Sequence, residues 1–468
     1  MTRSARPGTA VVVLLGLLGG YLAFDAFDVV PGMLTTAEPW PEAEPFPTAP
    51  GAVEVPPPGT VFPVLPQSAP VPDAEAVQGR VTDLVGDKRL GSRVGVVVAD
   101  AITGETLGSA DEDRLMTPAS AQKILTGVAA LSSPLADRTL ATTVVRSEDT
   151  VTLVGGGDIM LAAGKGRPTE VNGHAGLADL ADQVAGALEA EGMRKVRLAI
   201  DDTLFTGPGV APAVPKANMA YIGAAAPLGV NIGLAGDSYS PSGPWVADPA
   251  KRAGEIFAGH LRERGIDVTG VARGTAPENA EKIGEVRSAP VSEITEFFLH
   301  TSNNTMTEVV CRLVAVEAGE PGSNEAATQA VVDAVQGLGV DLEGADLKDC
   351  SGLGDGSRLS ARQLTDVVEL TIDPAHPRLR DVAVGMPVGG LNGTLNDRFR
   401  GDNPARGLVR AKTGSLSKTR ALAGTVVTAD QRQLVFVVLA DSIPDYAEGA
   451  VPIYDDFVGS LAAYSASS

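Results

Sequence analysis

Three short polar signals stand far apart in this 468-residue chain: Ser120-Ala121-Gln122-Lys123, Ser302-Asn303-Asn304 and Lys412-Thr413-Gly414-Ser415. If they act together, the chain has to return to one cleft from three distant segments. The context of each favours that. Thr117-Pro118-Ala119 leads into a stretch with helical apolar spacing, Ser120 to Leu131. Leu408–Ala411, Ala421–Ala429 and Gln433–Ala440 are apolar, strand-like runs separated by turns. They predict adjoining antiparallel strands of one central sheet, with Lys412 at the end of the first run.

The rest of the chain divides around these signals. Val94–Asp100 reads as a buried strand, Ile102-Thr103-Gly104 as a turn and Glu105–Gly108 as the start of a return strand. Val151–Val154 is another strand-like run. From Leu161 to Ala289 helical stretches (Leu177–Glu191, Ala250–Gly265) alternate with short strands such as Val196–Ile200, and no chemical motif stands out. A helix pair through Val291–Ala318, a helix over Ala326–Gly337 and a final helix over Asp455–Ala463 follow. The expected organisation is an α/β (α+β) domain with a central antiparallel sheet flanked by helices. It is built from residues 73–160 and 290–468 and interrupted by inserted domains over 161–289.

The N-terminal part is of another kind. Arg3 and Arg6 precede an apolar run from Thr9 to Phe24, and Asp25 and Asp28 follow it. That charge order predicts an exported body, so residues 1–30 read as a membrane anchor or signal sequence, the anchor favoured because no small-x-small cleavage pair lies at the usual distance. Residues 31–72 are crowded with prolines and read as a semi-extended linker holding the body off the plasma membrane. A net charge of -21 offers no basic face for nucleic acid. The two cysteines, Cys311 and Cys350, can pair in an extracytoplasmic compartment or pack as buried thiols. No Cys/His cluster has metal-ligand spacing, and no cofactor is implied.

Each signal has a chemical reason. Three residues apart at a helix start, Ser120 and Lys123 share a face, so the amine can reach the hydroxyl. A serine hydroxyl needs a base, and Lys123 serves if burial or a second cation, Lys412, lowers its pKa. The N–H groups of Ser120 and Ser415 can donate to an oxyanion. Ser302 can relay a proton and Asn304 can hold a substrate amide. Lys412, Thr413 and Ser415 suit a terminal carboxylate, and Gly414 lets a substrate strand lie close along the edge. A second S-x-x-K, Ser415 to Lys418, follows a strand, where that spacing does not align side chains. The four histidines have no G-x-S-x-G elbow to place a serine for them.

At these residues the chain resembles the low-molecular-mass penicillin-binding proteins of the S13 peptidase family, the D-Ala-D-Ala carboxypeptidase/endopeptidase group typified by penicillin-binding protein 4. Further segments carry the resemblance: Leu153-Val154-Gly155-Gly156-Gly157-Asp158, the long interval between Lys123 and Ser302, Asp349-Cys350-Ser351-Gly352-Leu353, and Pro387 to Leu395. It extends over nearly all of Asp73 to Leu439. The resemblance implies a penicillin-binding transpeptidase/β-lactamase-like domain and a serine-type D-Ala-D-Ala carboxypeptidase acting through a Ser120 acyl-enzyme. It also implies endopeptidase work, peptidoglycan stem peptides ending in D-Ala-D-Ala as substrates and β-lactams as covalent inhibitors. Two positions depart from the family pattern: Asn303 stands for an aspartate, and Cys350 for a glycine, which a bond to Cys311 explains. A β-lactamase and a non-catalytic penicillin-fold scaffold are the alternatives. The first would need an efficient deacylating base, and the second would have lost Ser120, Lys123 or Lys412.

Overall fold

The computed structural model describes residues 18–27, 29, 30, 36, 65–236, 240 and 243–466. Two compact units divide the chain, Met1–Pro63 and Val64–Ser468. In the first, residues 18–26 are helical, with Leu18, Tyr21, Leu22 and Phe24 exposed. The first part of the apolar run from Thr9 and most of the proline-rich stretch lie outside the described residues. Among the described residues no helix is long and apolar enough to cross a membrane.

In the larger unit Asp73 caps α1 (Ala74–Val85), its carboxylate accepting the Ala76 N–H at 2.9 Å. The apolar run VGVVVAD is β1 (Val94–Asp100), and β2 (Thr106–Ala110) returns beside it. The helix expected from Ser120 to Leu131 divides: Ala119–Gln122 is a 3₁₀ turn, and α2 spans Lys123–Leu131. Ala119 lies at φ 47°, a left-handed conformation that a regular helix cannot include. Next come β3 (Thr139–Ser147), β4 (Thr150–Gly155), β5 (Asp158–Leu161), α3 (Leu177–Ala190), β6 (Lys195–Asp201) and β7 (Leu228–Val230). They are followed by α4 (Pro249–Glu263), β8 (Asp267–Arg273), β9 (Glu281–Pro290), α5 (Val291–Thr301), α6 (Asn304–Glu317) and α7 (Asn324–Gln336). The chain continues through α8 (Ala361–Leu370), α9 (Arg380–Gly385), β10 (Val409–Leu416), β11 (Thr419–Val427), β12 (Gln433–Ala440) and α10 (Val451–Ala462).

One sheet has the order β10-β11-β12-β1-β2 and is antiparallel throughout. The three C-terminal runs are adjoining strands of it, as expected. Alternate residues of its strands enter two different cores. Val97, Val435, Val437 and Leu439 face the cluster that includes α2, α5 and α6. Val96, Val98, Phe436 and Val438 face the one that includes α1 and α10. Burial on both faces is why these strands read as continuous apolar runs rather than alternating ones.

The second sheet has the order β8-β6-β4-β3-β9. The β3–β4 hairpin is antiparallel, β4, β6 and β8 run parallel, and α3 and α4 form the crossovers. Here the sequence expectation needs correcting. Residues 139–155, assigned with 73–160 to the first sheet's domain, belong instead to this sheet, where Thr150–Val154 of β4 pair with Arg197–Asp201 of β6. A short apolar strand does not reveal its sheet; register with a partner fixes it, and that partner lies across the α3 crossover.

Candidate active site

Ser120 stands in the 3₁₀ turn and Lys123 opens α2. Side chains three apart eclipse in a 3₁₀ turn, and Lys123 Nζ lies 2.9 Å from Ser120 Oγ. The same nitrogen donates to Asn304 Oδ1 at 2.7 Å and to the Ser351 carbonyl at 2.6 Å. The Asn304 NH₂ is committed to the Tyr221 carbonyl at 2.9 Å, which fixes its oxygen toward the lysine. A neutral amine has two N–H bonds and one lone pair. The two carbonyl-type oxygens can only accept, so they take the N–H bonds, and the lone pair is left facing the Ser120 hydroxyl.

Burial sets the protonation. Lys123 is wholly buried, and desolvation pushes its pKa down to about 7 against the opposing charges of Asp349 and Glu308. Lys412, also buried, is lowered well below the usual lysine range, by desolvation first and by Lys123 second. Lys412 Nζ donates to Ser302 Oγ at 2.8 Å and to the Thr413 carbonyl at 2.9 Å. Ser302 closes α5 at φ 56°, a left-handed conformation in a residue with a side chain. Strain of this kind persists only where the surroundings hold it.

The sheet margin is shaped for a strand. The Val409 carbonyl and Ala411 N–H bond outward to Gly389 and Pro387, and by alternation the Ser415 N–H also points away from β11. A Cβ on Gly414 would lie 2.9 Å from the Pro118 carbonyl, so β10 runs close against the segment entering Ser120. Thr413 Oγ1 and Thr394 Oγ1 are 2.9 Å apart. Arg420, buried and opposite Ser415 in register, donates to Ser415 Oγ at 2.8 Å.

Ser120, Lys123, Ser302, Asn304, Lys412, Thr413, Gly414 and Ser415 therefore gather at one place, and the Ser415–Lys418 copy spans the β10–β11 turn. Asn303 Oδ1 caps α6 by accepting the Met306 N–H at 2.8 Å. Asparagine and aspartate cap equally well, which accounts for that departure. Cys311 and Cys350 are joined as a disulfide, with Cα atoms 6.3 Å apart.

Sequence reasoning missed two parts of the site. One is residues 216–223, from the stretch in which no motif stood out. Tyr221 supplies the carbonyl to Asn304, Asn218 donates to the Leu353 carbonyl at 3.1 Å, and Gly223 N–H donates to Thr305 Oγ1 at 2.9 Å. Backbone atoms do much of this, so no residue-type signal exists. The other is Glu308, whose Oε1 accepts the Cys350 and Ser351 N–H groups at 3.0 and 2.8 Å. Its signal was present: Asn304, Glu308 and Cys311, spaced by four and three, form one helical stripe.

A fold with the family's sheet and a site with a serine, two lysines and a strand margin define a penicillin-binding serine peptidase class. The D-Ala-D-Ala carboxypeptidase 3 (S13) family matches residues 77–242 and 239–453, and the chain belongs to it. Carboxypeptidase DacB of Mycolicibacterium smegmatis is 36% identical over 400 residues, 83% of this chain and 85% of that protein. A D-alanyl-D-alanine carboxypeptidase of Actinomadura sp. is 30% identical over 428 residues, 75% of this chain and 78% of that protein. The crystal structure of penicillin binding protein 4 (dacB) from Haemophilus influenzae superposes with a TM-score of 0.68 at 19% identity, covering 82% of this chain and 99% of that one. That likeness bears out the expected fold.

Proposed function

We propose that this chain is a serine D-Ala-D-Ala carboxypeptidase of peptidoglycan with Ser120 as nucleophile and Lys123 as its base. The observation that carries the reading is the lone pair of a buried, readily neutralised Lys123 held 2.9 Å from Ser120 Oγ. Ser120 Oγ attacks the carbonyl carbon between the two D-alanines as its proton passes to Lys123. The N–H groups of Ser120 and Ser415 stabilise the oxyanion. The proton now on Lys123 is relayed through the Ser302 hydroxyl, steadied by Lys412, to the departing nitrogen; the C–N bond breaks, D-alanine leaves, and Lys123 is neutral again. Water then attacks the ester carbon as one of its protons passes to Lys123, the C–Oγ bond breaks, and Lys123 returns that proton to Ser120 Oγ. Asn304 holds the substrate amide, and Lys412, Thr413 and Ser415 receive the terminal carboxylate. The same attack on a β-lactam ring leaves a ring-opened ester on Ser120. An endopeptidase reading shares every step and differs only in the leaving group.

Action on peptidoglycan lies outside the cytoplasm, and the apolar run from Thr9 to Phe24 supports a plasma-membrane anchor for the body. Membrane fractionation of the full chain, before and after Thr9–Phe24 is deleted, tests that separately.

The central test is incubation with a fluorescent penicillin followed by intact-mass and peptide mapping. The expected product is a slowly released adduct on Ser120, absent in Ser120→Ala. Rapid turnover of the penicillin would assign a β-lactamase instead. A D-Ala-D-Ala peptide that yields no free D-alanine would assign a binding scaffold.

A further inference from the structure

Residues 349–354 run alongside the start of α2, and their peptide units are gripped from both sides. In the unit joining residues 349 and 350, the carbonyl accepts from Gln122 Nε2 and the N–H donates to Glu308. In the next unit the Cys350 carbonyl accepts from Thr126 Oγ1 at 3.0 Å, and the Ser351 N–H donates to Glu308 at 2.8 Å. In the third the Ser351 carbonyl accepts from Lys123 Nζ at 2.6 Å, and the Gly352 N–H donates to Asp349 Oδ1 at 2.9 Å. Successive peptide units thus bridge a buried carboxylate to the helix that carries the base. Gln122, Lys123, Thr126, Glu308 and Asp349 are all buried.

We infer that Glu308 is a positioning residue for the reaction, acting through the Cys350 and Ser351 backbone to hold the Ser351 carbonyl against Lys123. This rests on the roles proposed above for Ser120 and Lys123. Without the Ser351 carbonyl, nothing on that side restrains the second N–H of a neutral Lys123, and its lone pair is free to turn from Ser120. Asp349 cannot replace Glu308, because it is committed to Gly352, Leu353 and Gly354 N–H groups and to Ser351 Oγ. Desolvation, with the Asp349 charge, raises the Glu308 pKa. A carboxyl that keeps an oxygen acceptor in either protonation state can do this work, since both N–H groups meet the same Oε1 atom. The role is therefore one of geometry, and an amide oxygen of the same reach substitutes for it.

The test compares Glu308→Met, which roughly conserves volume and offers only a weakly accepting thioether, with Glu308→Gln in the full chain. Stopped-flow acylation by a chromogenic penicillin gives the saturating rate and the half-saturation concentration, and adduct stoichiometry gives the active fraction. Glu308→Met is expected to lower the saturating rate of the labelled fraction about 100-fold, the scale of a misplacement near 1 Å, with half-saturation little changed. Glu308→Gln is expected to recover it to within about tenfold of wild type. Thr126→Val opens the neighbouring rung without touching a charge and is expected to slow acylation about tenfold, which keeps the test decisive if Glu308→Met does not fold. A purely structural Glu308 would lower the active fraction and leave the rate of what remains unchanged. That result, a Glu308→Gln as slow as Glu308→Met, or wild-type speed in Thr126→Val overturns the inference. Absence of any Ser120 adduct in the wild type would overturn the underlying reading instead.

Discussion

The two sheets differ in how they treat charge. The first is buried on both faces and holds charged groups inside: Lys412 on β10, Arg420 on β11, and the Asp100–Arg432 pair at the end of β1, with side chains 0% and 4% exposed. The second buries one face against α3 and α4 and keeps its ion pairs wet. Arg273, at the end of β8, is half exposed while it bonds Asp202 and Asp248. The contrast separates a rigid, low-dielectric frame, where a lysine can lose its proton near neutrality, from a solvated support whose neighbouring loop at residues 216–223 reaches the site.

The sharpest way to break this comparison is at the base. Lys123→Ala is expected to lower the acylation rate about 10²- to 10⁴-fold, the range of a general base. In the wild type the rate should climb as pH rises through about 7, because the neutral amine is the active form and its pKa is pushed down to about 7. A stopped-flow pH series checks this. A limb near the ordinary lysine value would show that the frame does not desolvate Lys123.

Next in size is the buried ion pair. Arg432 donates to Asp100 and to the Gln67 and Ala69 carbonyls. Arg432→Ala leaves an uncompensated buried carboxylate and is expected to cost about 3–5 kcal/mol, whereas Arg273→Ala is expected to cost less than about 1 kcal/mol. Urea titration of both variants measures the difference. Equal costs would erase the distinction between the sheets.

What could be read from sequence follows the same division. Ser120, Lys123, Ser302, Asn304 and the Lys412–Ser415 strand were legible because their residue types are chemically specific and their local spacing fits a helix start or a strand end. The sheet to which β3 and β4 belong was not, since register with β6 depends on contacts across a helix. Glu308 was overlooked because a glutamate in an apolar helix reads as a solvated charge until the N–H groups that donate to it are seen. The left-handed turns at Ala119 and Ser302 were invisible: alanine and serine carry no signal for that conformation, and the surroundings impose it.

A smaller effect is expected at the disulfide. Cys311 and Cys350 are 39 residues apart, and closing such a loop in the unfolded chain stabilises the native state by about 2–4 kcal/mol. Cys311→Ala combined with Cys350→Gly, which restores the glycine of the pattern the chain resembles, should lower the unfolding free energy measured by urea titration by that amount. Because Glu308 holds the Cys350 and Ser351 N–H groups independently, acylation per labelled molecule should fall by less than about tenfold. A larger drop would move the positioning role from the carboxylate to the sulfur bridge.

The smallest change compares two glycines with nearly the same positive φ. Gly352, at φ 73°, has no room for a side chain: a Cβ would meet the Ala119 carbonyl at 2.0 Å, beside Ser120. Gly192, at φ 72°, has nothing within 4 Å. It ends α3 in a Schellman turn, with Gly192 N–H bonded to the Glu189 carbonyl and Met193 N–H to that of Leu188. Gly192→Ala therefore incurs only the left-handed penalty of a Cβ, about 1 kcal/mol, read as a shift in urea midpoint. The acylation rate should remain that of the wild type, because this turn lies in the solvated support and touches nothing that holds Ser120 or Lys123. A slowed rate in Gly192→Ala would mean that the second sheet transmits strain to the cleft, and the two regions could no longer be treated as frame and support.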